Sequence, residues 1–241
     1  MKPYQKIKIQ ECYEPLIPIP PEIFATESPH PYQKLGAPYH LCQANSPYFL
    51  RQKVLDNLIV AQTKLQQNYP GWRIQIFDAY RPIAVQQFMV DYTFAETVKA
   101  EGLTLDSPYL TKAKREAILE LVYQFWASPS FDYATPPPHS TGAAVDVTLV
   151  DASGKTVNMG SSIDELSPRS YPNHFLDKTS TDPEAQKYHQ HRRLLAEMML
   201  SVGFQQHPQE WWHFSLGDQM WAWLTSQKNG GEVVARYGRV E

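Results

Sequence analysis

Two short segments, far apart in the chain, carry most of the residues able to do chemistry: His139-Ser-Thr-Gly-Ala-Ala-Val-Asp146 and Glu210-Trp-Trp-His213. Together they offer two imidazoles and one carboxylate as metal ligands, plus a glutamate, Glu210, that need not touch the ion. Three nitrogen or oxygen ligands with a fourth position open is the pattern of a catalytic zinc rather than a structural one. A spare glutamate close to a ligand is what a zinc hydrolase uses to take a proton from water. The same ligand set accepts other first-row divalent ions, so the spacing points to a zinc-like cation. Each segment also admits a plainer reading: His139 as a surface-loop residue with Asp146 paired elsewhere, and EWWHF as an aromatic core strand with a satisfied histidine.

A third group is Asp78-Ala-Tyr-Arg81-Pro82. An arginine at the end of a buried strand projects well into a cleft, where its permanent charge stabilises a developing oxyanion. A structural ion pair with Asp78 is the competing reading. The remaining histidines are weaker candidates. His189 and His191 fall on different faces of a predicted helix and cannot share an ion, while His30, His40, His174 and His207 read as polar surface.

The elements that must position these groups follow from the hydrophobic pattern. Residues 1 to 48 are rich in proline and tyrosine, which predicts an extended arm with short strands wrapped on the surface. Over 47–68, Leu50, Val54, Leu55, Leu58, Ile59, Gln62 and Leu65 recur at helical spacing, and Tyr69-Pro70-Gly71 ends the run. Trp72 to Phe77 alternates as a strand, and helices follow over 82–99 and 111–126. Residues 143–150 form a second strand, with Ala144, Asp146 and Thr148 on one face and Val145, Val147 and Leu149 on the other. A straight strand would leave His139 on the wrong face. Gly142 is the residue able to break it and swing His139 back, and Pro136 to Pro138 stiffen the approach. The irregular stretch 151–182 is long enough to be a functional loop. A helix over 182–203 buries Leu194, Leu195, Met198 and Met199; a last strand covers 212–216, and the tail after it is short. Helices interspersed with a few separated strands predict an α+β domain built on a small sheet, with 1–241 as a single domain.

Composition narrows the function classes. With 42% hydrophobic and 20% charged residues in 241, the chain reads as an ordinary globular domain. A net charge of -3 gives no support to nucleic-acid or membrane-surface binding. No apolar run approaches the roughly 20 residues a membrane helix needs. The N-terminal stretch lacks the apolar core of a signal peptide, so a cytoplasmic location is expected. Cys12 and Cys42 are too few for a disulfide framework or a thiolate metal site, and read as small buried apolar residues or a single disulfide.

Taken in order, FDAYRP, HSTGAAVD, MGSSID and EWWHF resemble the D-alanyl-D-alanine dipeptidases of the VanX type. That family belongs with the zinc D,D-carboxypeptidases and shares its fold with the hedgehog signalling domain. The resemblance runs from about residue 45 to 220, and the combination of motifs in this order is specific. It implies an α+β fold with a small, mainly antiparallel sheet and flanking helices. It also implies one zinc ion per chain on His139, Asp146 and His213, Glu210 as catalytic base and Arg81 as transition-state cation. Asp164, in the MGSSID stretch, would hold the free amine of a small dipeptide substrate. The chain departs from the family where serines commonly precede the first histidine ligand, here Pro137 and Pro138, and where a phenylalanine precedes the amine-binding aspartate, here Ile163. Two rival readings stay open: a D,D- or L,D-carboxypeptidase acting on longer muropeptides, and a zinc-containing binding module without turnover.

Overall fold

The computed structural model describes residues 2–41, 46–178 and 181–240. In chain order its elements are β1 (Leu16–Pro18), β2 (Ala25–Thr26), α1 (Pro31–Lys34), β3 (Phe49–Arg51), α2 (Gln52–Asn68), β4 (Arg73–Asp78), α3 (Ile83–Ala100) and α4 (Lys112–Phe125). They continue with β5 (Ala144–Val150), α5 (Pro183–Leu200), β6 (Gln205–Gln206), β7 (His213–Ser215) and α6 (Gln219–Asn229). Five strands form one sheet in the order β2-β4-β5-β7-β6, antiparallel throughout except for β2 beside β4. β1 and β3 make a separate antiparallel ribbon. The α+β architecture on a small sheet is the one the pattern predicts, and its mainly antiparallel pairing is the one the resemblance implies.

The alternation in β4 and β5 decides which face of the sheet becomes core. Ile74 lies opposite Leu149 and Ile76 opposite Val147, and all four are fully buried. α2 and α5 pack on this face through Leu55, Leu58, Leu65, Leu195 and Met199, at about 1.5–3 kcal/mol for each large side chain buried. Leu194 and Met198 pack against the same core from its margin. The opposite face of β5, with Ala144, Asp146 and Thr148, is buried as well. A carboxylate there must find partners, because burying an unpaired charge is prohibitively costly.

Three elements differ from the sequence expectation. α2 begins at Gln52 because Phe49–Arg51 is taken into pairing with β1. The tail carries α6 after the last strand: Asp218 accepts the Trp221 N–H at 2.8 Å as N-cap, and Gly230 ends the helix at φ 71°. Both signals stand in the sequence, but the helix has no clean apolar stripe. The proline-rich N-terminal stretch holds short strands and extended backbone, yet it also buries Phe24, Tyr32 and Tyr39 rather than lying wholly on the surface. Cys12 is exposed, not buried, and Cys42 lies outside the described residues.

The long loop after β5 is pinned rather than open. Arg192 of α5, 2% exposed, donates to the Met159 carbonyl at 2.7 Å, the Tyr171 carbonyl at 2.8 Å and Ser161 Oγ at 3.0 Å. Trp211 Nε1 donates to the same Ser161 Oγ at 2.9 Å. Among the described residues no helix is long and apolar enough to cross a membrane.

Candidate active site

Strand register brings the acidic and imidazole groups together. On the polar face of the sheet, Asp78 of β4, Asp146 of β5 and His213 of β7 stand side by side as direct cross-strand neighbours. Asp78 reaches that row through a β-bulge: Ile76 faces Val147 and Asp78 faces Asp146, leaving Phe77 as the extra residue. The Phe77 carbonyl, displaced from the ladder, accepts a 2.6 Å hydrogen bond from His30 Nε2. His30 is therefore a buried structural residue, 1% exposed, and not the polar surface residue its proline neighbour suggests.

His139 arrives from a 3₁₀ turn, Pro138–Thr141, that precedes β5. Gly142 ends the turn in the left-handed region, φ 69°, which redirects the chain as its place in the sequence predicts. The turn is stitched to the Asp78–Pro82 corner. The Arg81 N–H donates to the His139 carbonyl at 3.2 Å, Ser140 Oγ donates to the Arg81 carbonyl at 2.7 Å, and His139 Nδ1 donates to the Ala79 carbonyl at 2.7 Å. A Cβ at Gly142 would also meet Leu16 Cδ2. Gly142→Ala is expected to cost about 1–2 kcal/mol in stability from the left-handed backbone alone. It should weaken divalent-ion binding too, since His139 is displaced. Thermal melts and a metal titration check both; an unchanged ion affinity would separate the turn from the site.

The ligand atoms then converge. One atom from each of His139, Asp146 and His213 lies within 4.8 Å of the others, and all three residues are buried. His139 Nε2 and His213 Nδ1 are 3.1 Å apart, and Asp146 oxygens stand 3.2 Å from the first and 3.0 Å from the second. With its Nδ1 proton committed to Ala79, His139 turns a lone pair inward. His213 Nε2 faces Ser215 Oγ at 3.3 Å, and Ser215 donates to Asp218 at 2.8 Å, so the Nδ1 lone pair of His213 points to the same place. Two imidazole lone pairs and a carboxylate aimed at one point repel each other unless a cation sits between them. The donor set fits a divalent ion, and these three residues could hold one. Burial opposes ionisation of Asp146, but the His139 and His213 imidazoles outweigh it and hold its pKa well below the usual carboxylate value.

Around this point stand the other predicted groups. Glu210, buried, has carboxylate oxygens 3.8 Å from His213 Nδ1 and 3.7 Å from His207 Nδ1. Burial and the nearby Asp146 charge push its pKa well above the ordinary glutamate value. Arg81 makes the predicted ion pair, with Nε 2.8 Å and Nη2 2.6 Å from Asp78 Oδ2, and it also reaches 3.5 Å from Asp146 Oδ2. Arg81 is therefore tied to Asp78 and also lines the cavity. Asp164 accepts a 2.7 Å hydrogen bond from Tyr32 Oη and lines the same cavity; burial and Asp146 push its pKa up to about 6. Its φ of 63° is left-handed, a conformation aspartate tolerates better than most residues. All six residues singled out from the sequence thus meet at one cavity.

Several residues at the site were not singled out. Tyr32 and Trp126 place their rings 5.3 and 4.9 Å from the Arg81 guanidinium, and Gln86 accepts from Arg81 Nη1 at 2.9 Å. His207, assigned above to the surface, is buried with its ring 5.6 Å from that of His213. Burial and His213 hold it neutral. Lys2 and Tyr4 line the cavity from the N-terminal end of the chain. For Ser215 and Asp218 the signal was their closeness to His213; for Lys2 and Tyr32 no local signal exists.

The model of the D-ala-D-ala dipeptidase family, M15 peptidases, matches residues 25–229. The chain belongs to this family. A D-alanyl-D-alanine dipeptidase of Synechocystis sp. is 50% identical over 246 aligned positions, spanning 100% of this chain and 98% of that one. A D-alanyl-D-alanine dipeptidase of Enterococcus faecalis is 30% identical over 150 positions, covering 62% of this chain and 64% of its own length. Among solved structures, a vancomycin-resistance D,D-pentapeptidase, VanY, in complex with Zn(II) aligns with TM-score 0.40 and 17% identity, over 76% of this chain and 81% of that one. The six residues of the cavity named from the sequence all fall inside the family match, whereas Lys2 and Tyr4 lie before it.

Proposed function

We propose that this peptidase hydrolyses D-alanyl-D-alanine to two D-alanines, using one zinc ion per chain. The observation that carries the reading is the convergence of His139, Asp146 and His213 beside Glu210, Arg81 and Asp164 in one cavity. When bound by the three ligands, zinc supplies Lewis acidity toward the scissile carbonyl and the attacking water. Glu210 takes the proton of that water and afterwards delivers it to the leaving amine. Its raised pKa suits both halves of that task, since a strongly acidic carboxylate would not hold the proton long enough to return it. Arg81 meets the negative charge developing on the carbonyl oxygen, and its fixation by Asp78, Gln86, Tyr32 and Trp126 means no reorganisation is needed at that moment. Asp164 pairs with the free amine of the dipeptide from the wall it shares with Tyr32.

Asp164 as partner of the amine favours a dipeptide over a longer muropeptide, because a carboxylate left unpaired in the cavity wall disfavours substrates without a free amine. Pro137 and Pro138 remove the serine side chains of relatives but leave Asp164 and Tyr32 as amine partners. The test is incubation of purified, metal-analysed protein with D-Ala-D-Ala and with a muropeptide ending in D-Ala-D-Ala, with and without chelator. Chelator-sensitive release of D-alanine from the dipeptide alone is the expected result. Release from the muropeptide would move the assignment to a carboxypeptidase, and no release from either would leave a binding module.

A further inference from the structure

One wall of the cavity comes from outside the stretch that matches the family. A 3₁₀ turn over Pro3–Lys6 packs against α6 and carries Lys2 and Tyr4 to the cavity, beside His207 and Glu210. The turn is firmly held. Tyr4 is 4% exposed, and Lys2 N–H donates to Gln5 Oε1 at 2.8 Å. Gln219, at the start of α6, donates to the Ile7 carbonyl at 2.6 Å and the Ala134 carbonyl at 2.9 Å. Further along, Lys8 and Gln10 exchange backbone hydrogen bonds with Ala235 at 3.0 and 2.8 Å, which ties this segment to the C-terminal stretch. A lysine is therefore delivered by a built scaffold to a half-buried position on the cavity that holds Asp146, Asp164 and Glu210.

Resting on the dipeptidase reading, we propose that Lys2 is a specificity residue that receives the free C-terminal carboxylate of the dipeptide. A dipeptide brings two charged ends. Asp164, held by Tyr32, is placed for the amine. The carboxylate belongs to the leaving residue, whose nitrogen Glu210 must reach, so it lies within one residue of Glu210. Apart from imidazoles, the cations lining the cavity are Arg81 and Lys2. Arg81 is engaged by Asp78 through two nitrogens and by Gln86 through the third. Lys2 is the cation on the Glu210 side, and its charge is felt at both Glu210 and His207. Burial lowers its pKa, which is the condition an incoming carboxylate relieves. The wall would then demand a substrate that ends one residue beyond the scissile bond.

The test compares kcat/KM for D-Ala-D-Ala and for its C-terminal amide, in wild type, Lys2→Met and Lys2→Arg. Wild type should prefer the free acid strongly. Lys2→Met should reduce the acid-to-amide ratio by about 10- to 100-fold, the worth of one charge-assisted hydrogen bond, mainly through KM of the acid. Lys2→Arg should recover part of the ratio. Metal content and melting temperature of each variant confirm an intact site. An equal loss on both substrates with a shifted pH profile would show that Lys2 acts only through Glu210, and an unchanged ratio would show no role; either result overturns the inference while leaving the dipeptidase reading in place. A wild-type protein that cleaves neither substrate removes that reading and this inference with it.

Discussion

Glu210→Gln is expected to retain the divalent ion and lose turnover by about 10²–10⁴-fold in kcat, the usual worth of a positioned general base. The amide is nearly isosteric with the carboxylic acid, so the cavity keeps its shape while losing the group that accepts the proton. Glu210 stands 3.8 Å from His213 Nδ1 and outside the set of three converging atoms. Stability should move the other way from activity. The folded-state pKa of Glu210 is raised, so stability is fully present below the ordinary glutamate pKa and is lost as pH rises through the folded one, and a neutral side chain removes that loss. The variant should therefore melt no lower than wild type at neutral pH. Steady-state kinetics, metal analysis and a thermal melt decide the matter. Loss of the ion together with activity would make Glu210 a ligand, and turnover within tenfold of wild type would remove it as the base.

Asp146→Asn should weaken divalent-ion binding by more than the roughly 10–100-fold typical of residues one layer out from a metal, and activity should fall with site occupancy. Asp146 supplies the negative charge of the ligand set, at 3.2 Å from His139 Nε2 and 3.0 Å from His213 Nδ1. Its low folded-state pKa means that this carboxylate is already ionised when a cation arrives. An asparagine keeps the shape and forfeits that charge. A competition titration against a chromophoric chelator measures the affinity. Partial recovery of turnover at high ion concentration would confirm a binding defect, whereas an unchanged affinity would exclude Asp146 as a ligand.

What was legible in the sequence was local. The alternation of Ile74 and Ile76 and the helical spacing of Val54, Leu55, Leu58 and Leu65 are properties of neighbouring residues, and β4 and α2 follow them closely. Gly142 announced its turn because few other residues tolerate a φ of 69°. The short motifs carry their chemistry in residue type and order, so His139, Asp146, His213, Glu210 and Arg81 stand out before any pairing is known, and Asp164 through the family resemblance. The errors were equally instructive. α6 was overlooked because its stripe is blurred, although Asp218 and Gly230 mark its ends. His30 and His207 were assigned to the surface from their proline neighbours, but burial is decided by what packs from elsewhere.

The sequence by itself thus determined the family this peptidase belongs to, the central strands and helices, and the candidate side chains they carry. Only the tertiary structure decided how they meet. The row Asp78–Asp146–His213 depends on strand register and on one bulged residue, Phe77, whose freed carbonyl needs His30 from a distant segment. The seating of Arg81 against Tyr32 and Trp126 and the arrival of Lys2 at the cavity with Glu210 join parts of the chain that no local pattern links. Local periodicity is set by backbone geometry over a few residues. Register and cavity walls are set by the cooperative packing of the whole core, which is where the chemistry of this site is assembled.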